Sequence, residues 1–282
     1  CEAGSGNHHH APVSAREGPL MRRIRESFEE QIEQVQVDVT RLASYVVQML
    51  ADAMRALVEQ DEALADRVIM DDDVADELDL HIEQECMRLL ALQQPMAKDL
   101  RIIGTAMKII ADLERVGDYA VDIARSVKTL ADEPYFKTLI DIPRMGQITV
   151  RMVRTAAEAF VKQDLNLVRQ VIEEDDEVDR IWYHLLDELV AYMQRDPDLI
   201  LQATHLLLVA RYLERIADHV VNVVERVSYM ETGQFEDLAL SHQTIRVASV
   251  IFACMSSTES GSKKSTTMPR RRRSRSAMSR MG

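Results

Sequence analysis

The chain has 282 residues, 46% of them hydrophobic and 29% charged, a globular composition with ample core for one or two domains. No apolar run approaches the ~18 residues of a membrane span, and the three cysteines (Cys1, Cys86, Cys254) lie far apart without a CxxC pair. A membrane-spanning protein, a disulfide framework and a cysteine zinc site are thereby excluded, and a reducing, cytoplasmic setting is expected.

In chain order, residues 1–20 hold Gly4, Gly6, Pro12, Gly18, Pro19 and the run His8 to His10, with little to bury and no signal-peptide pattern. This stretch is expected to be a disordered extension, and the histidine run a chance feature. From Met21 to about Leu240 the chain has four glycines and four prolines, too few turn signals for an all-β fold. Apolar residues recur at helical spacing instead, as in Leu42, Val46, Met49, Ala53, Leu57 and in Val150, Val153, Ala157, Phe160. Six helices are predicted, at about 22–59, 62–92, 96–130, 144–163, 165–194 and 198–230, with Pro95 and Pro197 opening the third and sixth. The end, 241–282, is expected to be a disordered basic tail. From Met255 onward it carries eight Lys/Arg against Glu259 alone, within a chain of net charge −13. The body is therefore strongly acidic, which argues against nucleic acid and for cations or basic partners. The cluster from Arg270 to Arg275 lacks interleaved aromatics and reads as a solvated tail.

The body is duplicated. A shift of 103 residues lays 58–78 on 161–181 with nine of 21 positions identical, including Asp61 on Asp164, Asp72 on Asp175, Asp73 on Asp176 and Asp76 on Asp179. A shift of 100 lays Leu113-Glu114-Arg115 on Leu213-Glu214-Arg215 and Asp118 on Asp218. The fold class is therefore all-α: two tandem three-helix bundles, one over 21–136 and one over 137–240.

Glu114, Asp118 and Asp122 lie at i, i+4, i+8, and Glu214, Asp218 and Asn222 repeat the spacing. Each set falls on one helix face, within stripes that are otherwise apolar: Ile103, Met107, Ile110, Gly117, Val121, Ala124 and Leu207, Ala210, Ala217, Val221, Val224. Grouped carboxylates on a core-facing stripe need a cation or a hydrogen-bond partner. Arg115 and Arg215 point about 100° away from their glutamate neighbours. A bound metal ion or a solvated acidic flank satisfies the pattern, and its repetition in both halves favours metal. Asp72, Asp73 and Asp76, with Asp175, Asp176 and Asp179, begin the second and fifth helices. They could be further ligands or plain caps and helix-dipole partners. Nucleophilic catalysis finds no support, since neither GxSxG nor GxxxxGK[ST] occurs and Cys86 reads as a packed thiol. No histidine follows a glutamate by three, so a ferritin-like di-iron site is not indicated. His81 and His184 are equivalent and read as packing or capping groups, while His219 is only weakly suggestive of a ligand.

Gln93-Gln94-Pro95-Met96-Ala97-Lys98-Asp99-Leu100-Arg101, followed by Asp112-Leu113-Glu114-Arg115-Val116-Gly117-Asp118, resembles the signature of the PhoU family. Tyr212-Leu213-Glu214-Arg215-Ile216-Ala217-Asp218-His219, running to Asn222, resembles its second copy, and Met21-Arg22-Arg23 through Phe28-Glu29-Glu30-Gln31 is similar to the family's start. The resemblance spans about 220 residues and implies two three-helix bundles that bind metal clusters through Glu-x-x-x-Asp, here Glu114/Asp118 and Glu214/Asp218. The family's third position is often asparagine; Asn222 matches and Asp122 departs, implying a more acidic first site. Iron or zinc is the family expectation, and the oxygen donors also suit magnesium or manganese. The resemblance further implies a homodimeric, non-enzymatic negative regulator that links the phosphate transporter ATPase to a phosphate-sensing histidine kinase. It would reach the membrane only through those partners. The alternative is a carboxylate-cluster metalloenzyme, such as a metal-dependent phosphatase.

Overall fold

A computed structural model describes residues 19–235 and 238; the expected tails therefore lie almost wholly outside the described residues. Six long helices follow in order: α1 (Pro19–Glu59), α2 (Glu62–Gln93), α3 (Ala97–Leu130), α4 (Asp141–Lys162), α5 (Leu165–Arg195) and α6 (Ile200–Thr232). No strand occurs among the described residues. The expected boundaries hold to within three residues, and the departures concern the prolines. Pro95 precedes α3 rather than opening it, since Met96 is the extended N-cap. Pro197 starts a single 3-10 turn, Pro197–Leu199, ahead of α6. Pro19 opens α1, and Pro143 sits inside the first turn of α4. Both are tolerated because first-turn N–H groups have no intrahelical acceptor.

The duplication extends to the turns. Gln60 and Gln163, at φ 54° and 55°, both adopt the left-handed conformation that ends a helix. Asp61 and Asp164 then cap the next helix, accepting from the N–H of Leu64 at 2.9 Å and of Asn166 at 2.8 Å.

Packing joins the halves closely. Besides the contacts within each three-helix bundle, α3 packs along α6 and α1 along α4, so one continuous apolar core draws on all six helices. Leu42, Val46, Ala53 and Leu57 are fully buried and Met49 is 2% exposed, as the helical stripe of α1 requires. The segment 131–140 straps the halves together. The Tyr135 hydroxyl donates to the Leu57 carbonyl at 2.6 Å, and the Phe136 N–H donates to Gln202 Oε1 at 2.8 Å. Gln202 Nε2 in turn donates to the Pro134 carbonyl at 3.2 Å.

Candidate metal centre

Each half gathers acidic residues where its second and third helices meet. In the first half, α2 supplies Asp72, Asp73, Asp76 and Asp79, and α3 supplies Glu114 and Asp118. Burial raises the Asp72 carboxyl above the usual range, and the charges of Asp76, Asp118 and Asp73 add to it against Arg125. Glu114 is raised by burial first, then by Asp118, with Arg115 opposing and with Asp76 and Asp79 adding. Asp79 is raised too, by burial and then by Glu83 and Asp76. Its Oδ1 is buried without a hydrogen-bond partner.

The second half repeats this more deeply. Asp175 is 4% exposed, and its carboxyl is pushed up to about 8, by burial first and then by Asp179, Asp218, Asp176 and Glu214. The Glu214 side chain, 2% exposed, occupies a core position in the α6 stripe, and Arg211 donates to its Oε1 at 2.6 Å. Like-charged carboxylates held together at such depth are costly unless a cation answers them.

The arginines reach further than their helix positions suggest. Arg115 Nη1 lies 2.7 Å from Asp118 and its Nε 3.4 Å from Glu114, while Arg215 Nη1 lies 3.1 Å from Asp218. The 100° separation of sequence neighbours governs Cβ directions, whereas a long guanidinium side chain spans the i, i+3 gap. These arginines nonetheless remain partly exposed, with 57% and 38% of their side chains open to solvent.

The third position of each motif looks elsewhere. Asp122 pairs with Arg125 at 2.9 Å, and its charge also reaches Tyr212 on α6. Asn222 Nδ2 lies 3.4 Å from Asp112 Oδ1 on α3, which His219 Nδ1 also meets at 2.9 Å. His219 is thus engaged across the α3–α6 seam, beside Tyr119 and Tyr212, whose rings stack at 5.8 Å. Asp73 and Asp176 stand exposed at the rims. His81 and His184 are exposed rather than packed, and His184 Nδ1 lies 3.9 Å from Asp141. Cys86 is the packed thiol expected, fully buried and pushed up to about 12 by burial.

The halves differ in one respect that spacing alone did not signal. The 103-residue shift places Asp79 at the position of Trp182, and the 100-residue shift places Ala111 at that of Arg211. The Arg211 guanidinium lies 5.8 Å from the centre of the Trp182 ring while also holding Glu214. The first cluster thus gains a carboxylate where the second gains a cation. Asp72 and Asp175 are already among the candidate ligands of the sequence; Asp79 joins them, and only its helical spacing from Asp72 and Asp76 hints at it.

The donors suit a hard cation. All are carboxylate oxygens, several are held above their ordinary titration range by burial and then by one another, and the buried Asp79 Oδ1 lacks a hydrogen-bond partner. The side chains do not stand closed around an ion. Among the described residues the one trio with ligand atoms mutually within 4.8 Å is Asp141, His184 and Glu188, away from both clusters. Its Glu188 is already paired with Lys137 at 2.5 Å.

Comparison with known proteins agrees with this architecture. The PhoU domain profile matches twice, over residues 39–127 and 142–227. A phosphate-specific transport system accessory protein PhoU homolog of Clostridium acetobutylicum is 38% identical over 215 residues, covering 76% of this chain and 98% of that protein. The Aquifex aeolicus homolog of the same description is 41% identical over 217 residues, covering 77% and 96%. The crystal structure of PhoU from Pseudomonas aeruginosa superposes with a TM-score of 0.71 at 35% identity, covering 73% of this chain and all of that one. With two profile matches, one per three-helix half, and relatives aligned over nearly their full length, the chain belongs to the PhoU family.

Proposed function

We propose that this protein is a metal-binding regulator of phosphate uptake, a negative regulator of the phosphate-starvation response that couples the high-affinity transporter's ATPase to a phosphate-sensing histidine kinase. The relatives are accessory proteins of phosphate-specific transport, which supports a role in phosphate uptake and a non-catalytic one. The observation that carries the metal reading is the twice-built set of partly buried carboxylates, deepest at Asp175 and Glu214. The first site would use Glu114, Asp118, Asp72 and Asp76, with Asp79 behind and Asp73 at the rim. The second would use Glu214, Asp218, Asp175 and Asp179, with Asp176 at the rim. Asp122 and Asn222 would join only by leaving Arg125 and Asp112. Iron or zinc, or magnesium or manganese, would supply the positive charge that lets these groups ionise together. The protein would act in the cytoplasm as a homodimer and meet the membrane through its partners. No described helix is long and apolar enough to cross one.

The test is complementation. Expressed in a bacterium lacking its own PhoU-like protein, the chain should return alkaline phosphatase to its repressed level in phosphate-rich medium, and the Glu114→Gln/Glu214→Gln variant should not. Continued high phosphatase activity from the folded parent chain would reject the regulatory reading.

A further inference from the structure

The internal repeat also builds a second surface, along α1 and α4 rather than where α2 meets α3 or α5 meets α6. Two cavities of about 470 and 530 Å³ lie end to end along the α1–α4 seam. The 103-residue shift that relates the halves carries the lining of one onto that of the other: Ala43 onto Gly146, Val47 onto Val150, Val58 onto Val161. They are two halves of one pseudo-symmetric groove running alongside α1 from Thr40 to Glu59, roughly 30 Å at 1.5 Å per residue. Its floor is apolar. Val58 and Val161 stand 50% and 46% exposed at equivalent places, so each half of the groove opens an aliphatic wall to solvent.

Charge breaks the symmetry. Arg154 lines both cavities, at the position equivalent to Ala51. The other basic groups of the groove are matched: Arg55 by Asp52 at 2.8 Å, Arg151 by Glu174 at 2.9 Å and Lys162 by Glu158 at 2.5 Å. No ion pair engages Arg154 among the described residues, so a chain of net charge −13 carries an unmatched cation at the centre of an apolar groove. A straight groove of about five helical turns, apolar along its floor and cationic at its midpoint, is the complement of an amphipathic helix with a central carboxylate.

We propose that the α1–α4 groove docks such a helix from the phosphate-transport machinery, its apolar face over Val58 and Val161 and its carboxylate against Arg154. This rests on the reading of the chain as an accessory of that machinery and names the surface it would use. The experiment measures binding of the full-length chain to the purified transporter ATPase subunit and, separately, to the cytoplasmic part of the sensor kinase, by biolayer interferometry. Arg154→Glu and Val161→Asp, both at exposed positions and checked for unchanged helicity, should each weaken binding to one of these proteins at least about tenfold, while Arg154→Lys stays within about threefold. Binding by the parent that neither substitution alters would overturn the groove and leave the regulatory reading intact. A parent chain that binds neither protein would reject both together. Unchanged binding with an altered oligomeric state by light scattering would assign the groove to a second copy of this chain and overturn the proposal.

Discussion

Glu214 and Asp175 carry the largest consequences of any single side chains, because both hold carboxyl groups at depths where charge is expensive. Removing the Arg211 guanidinium should expose that cost. In chelator, Arg211→Ala is expected to lower stability by about 1 kcal/mol in urea denaturation, less than a fully buried ion pair would lose because the Arg211 side chain is 42% exposed. A divalent ion should recover much of the loss if the cluster accepts metal. The Asp175 carboxyl, pushed up to about 8 from an ordinary 3.8, favours the protonated native state. Its stabilising effect is complete below its unfolded value and is lost as pH rises toward 8, so metal-free protein should melt at lower temperature at pH 8 than at pH 5. Asp175→Asn should flatten that slope, read as a melting-temperature difference smaller by at least about 3 °C in thermal denaturation. Asp72, Asp79 and Glu114 are raised in the same direction and reinforce the trend in the parent.

At the scale of elements, the duplicated Gln-Asp turns invite a paired comparison. Gln163 sits at φ 55° with no side-chain hydrogen bond described, so Gln163→Gly should stabilise by about 0.5–1 kcal/mol. Gln60, at φ 54°, also donates from its amide to the carbonyls of Leu130 and Glu133, the latter at 2.8 Å, and Gln60→Gly should be neutral or destabilising. Asp61→Ala and Asp164→Ala should each cost about 1 kcal/mol through the lost cap, adding independently in a double variant. Such local features are what the sequence displays best. The proline spacing and the apolar stripes placed helix ends within a turn. The sequence was less informative where a choice depended on side-chain reach or on a neighbour far along the chain. Arg115 and Arg215 turn back onto Asp118 and Asp218, Asn222 faces Asp112 on another helix, and Asp79 replaces Trp182 beside Glu114 rather than facing water.

For the molecule as a whole, the repeat is visible in the residues but its consequence is not. Nothing in the periodicity of α3 tells that its partner is α6, because the stripe that faces α2 and the face that meets α6 are both apolar. The observed continuity of the core makes the two halves one cooperative unit. A single calorimetric transition is therefore expected, with coincident helicity and tyrosine-fluorescence curves. The isolated segment 21–136 should fail to give a cooperative melt, since its α1 and α3 faces lose α4 and α6.

The central claim, that each half holds metal through its own carboxylates, is tested most directly by counting bound metal. Full-length protein would be stripped with chelator, dialysed against manganese or ferrous iron, and measured for protein-bound metal by mass spectrometry. The His8–His10 run is common to all samples and cancels in the comparison. The Glu114→Gln/Asp118→Asn variant and the Glu214→Gln/Asp218→Asn variant should each lose the metal of one half and keep the other's, and the fourfold variant should lose both. Equal metal content in the parent and the fourfold variant, with helicity unchanged, would contradict the claim.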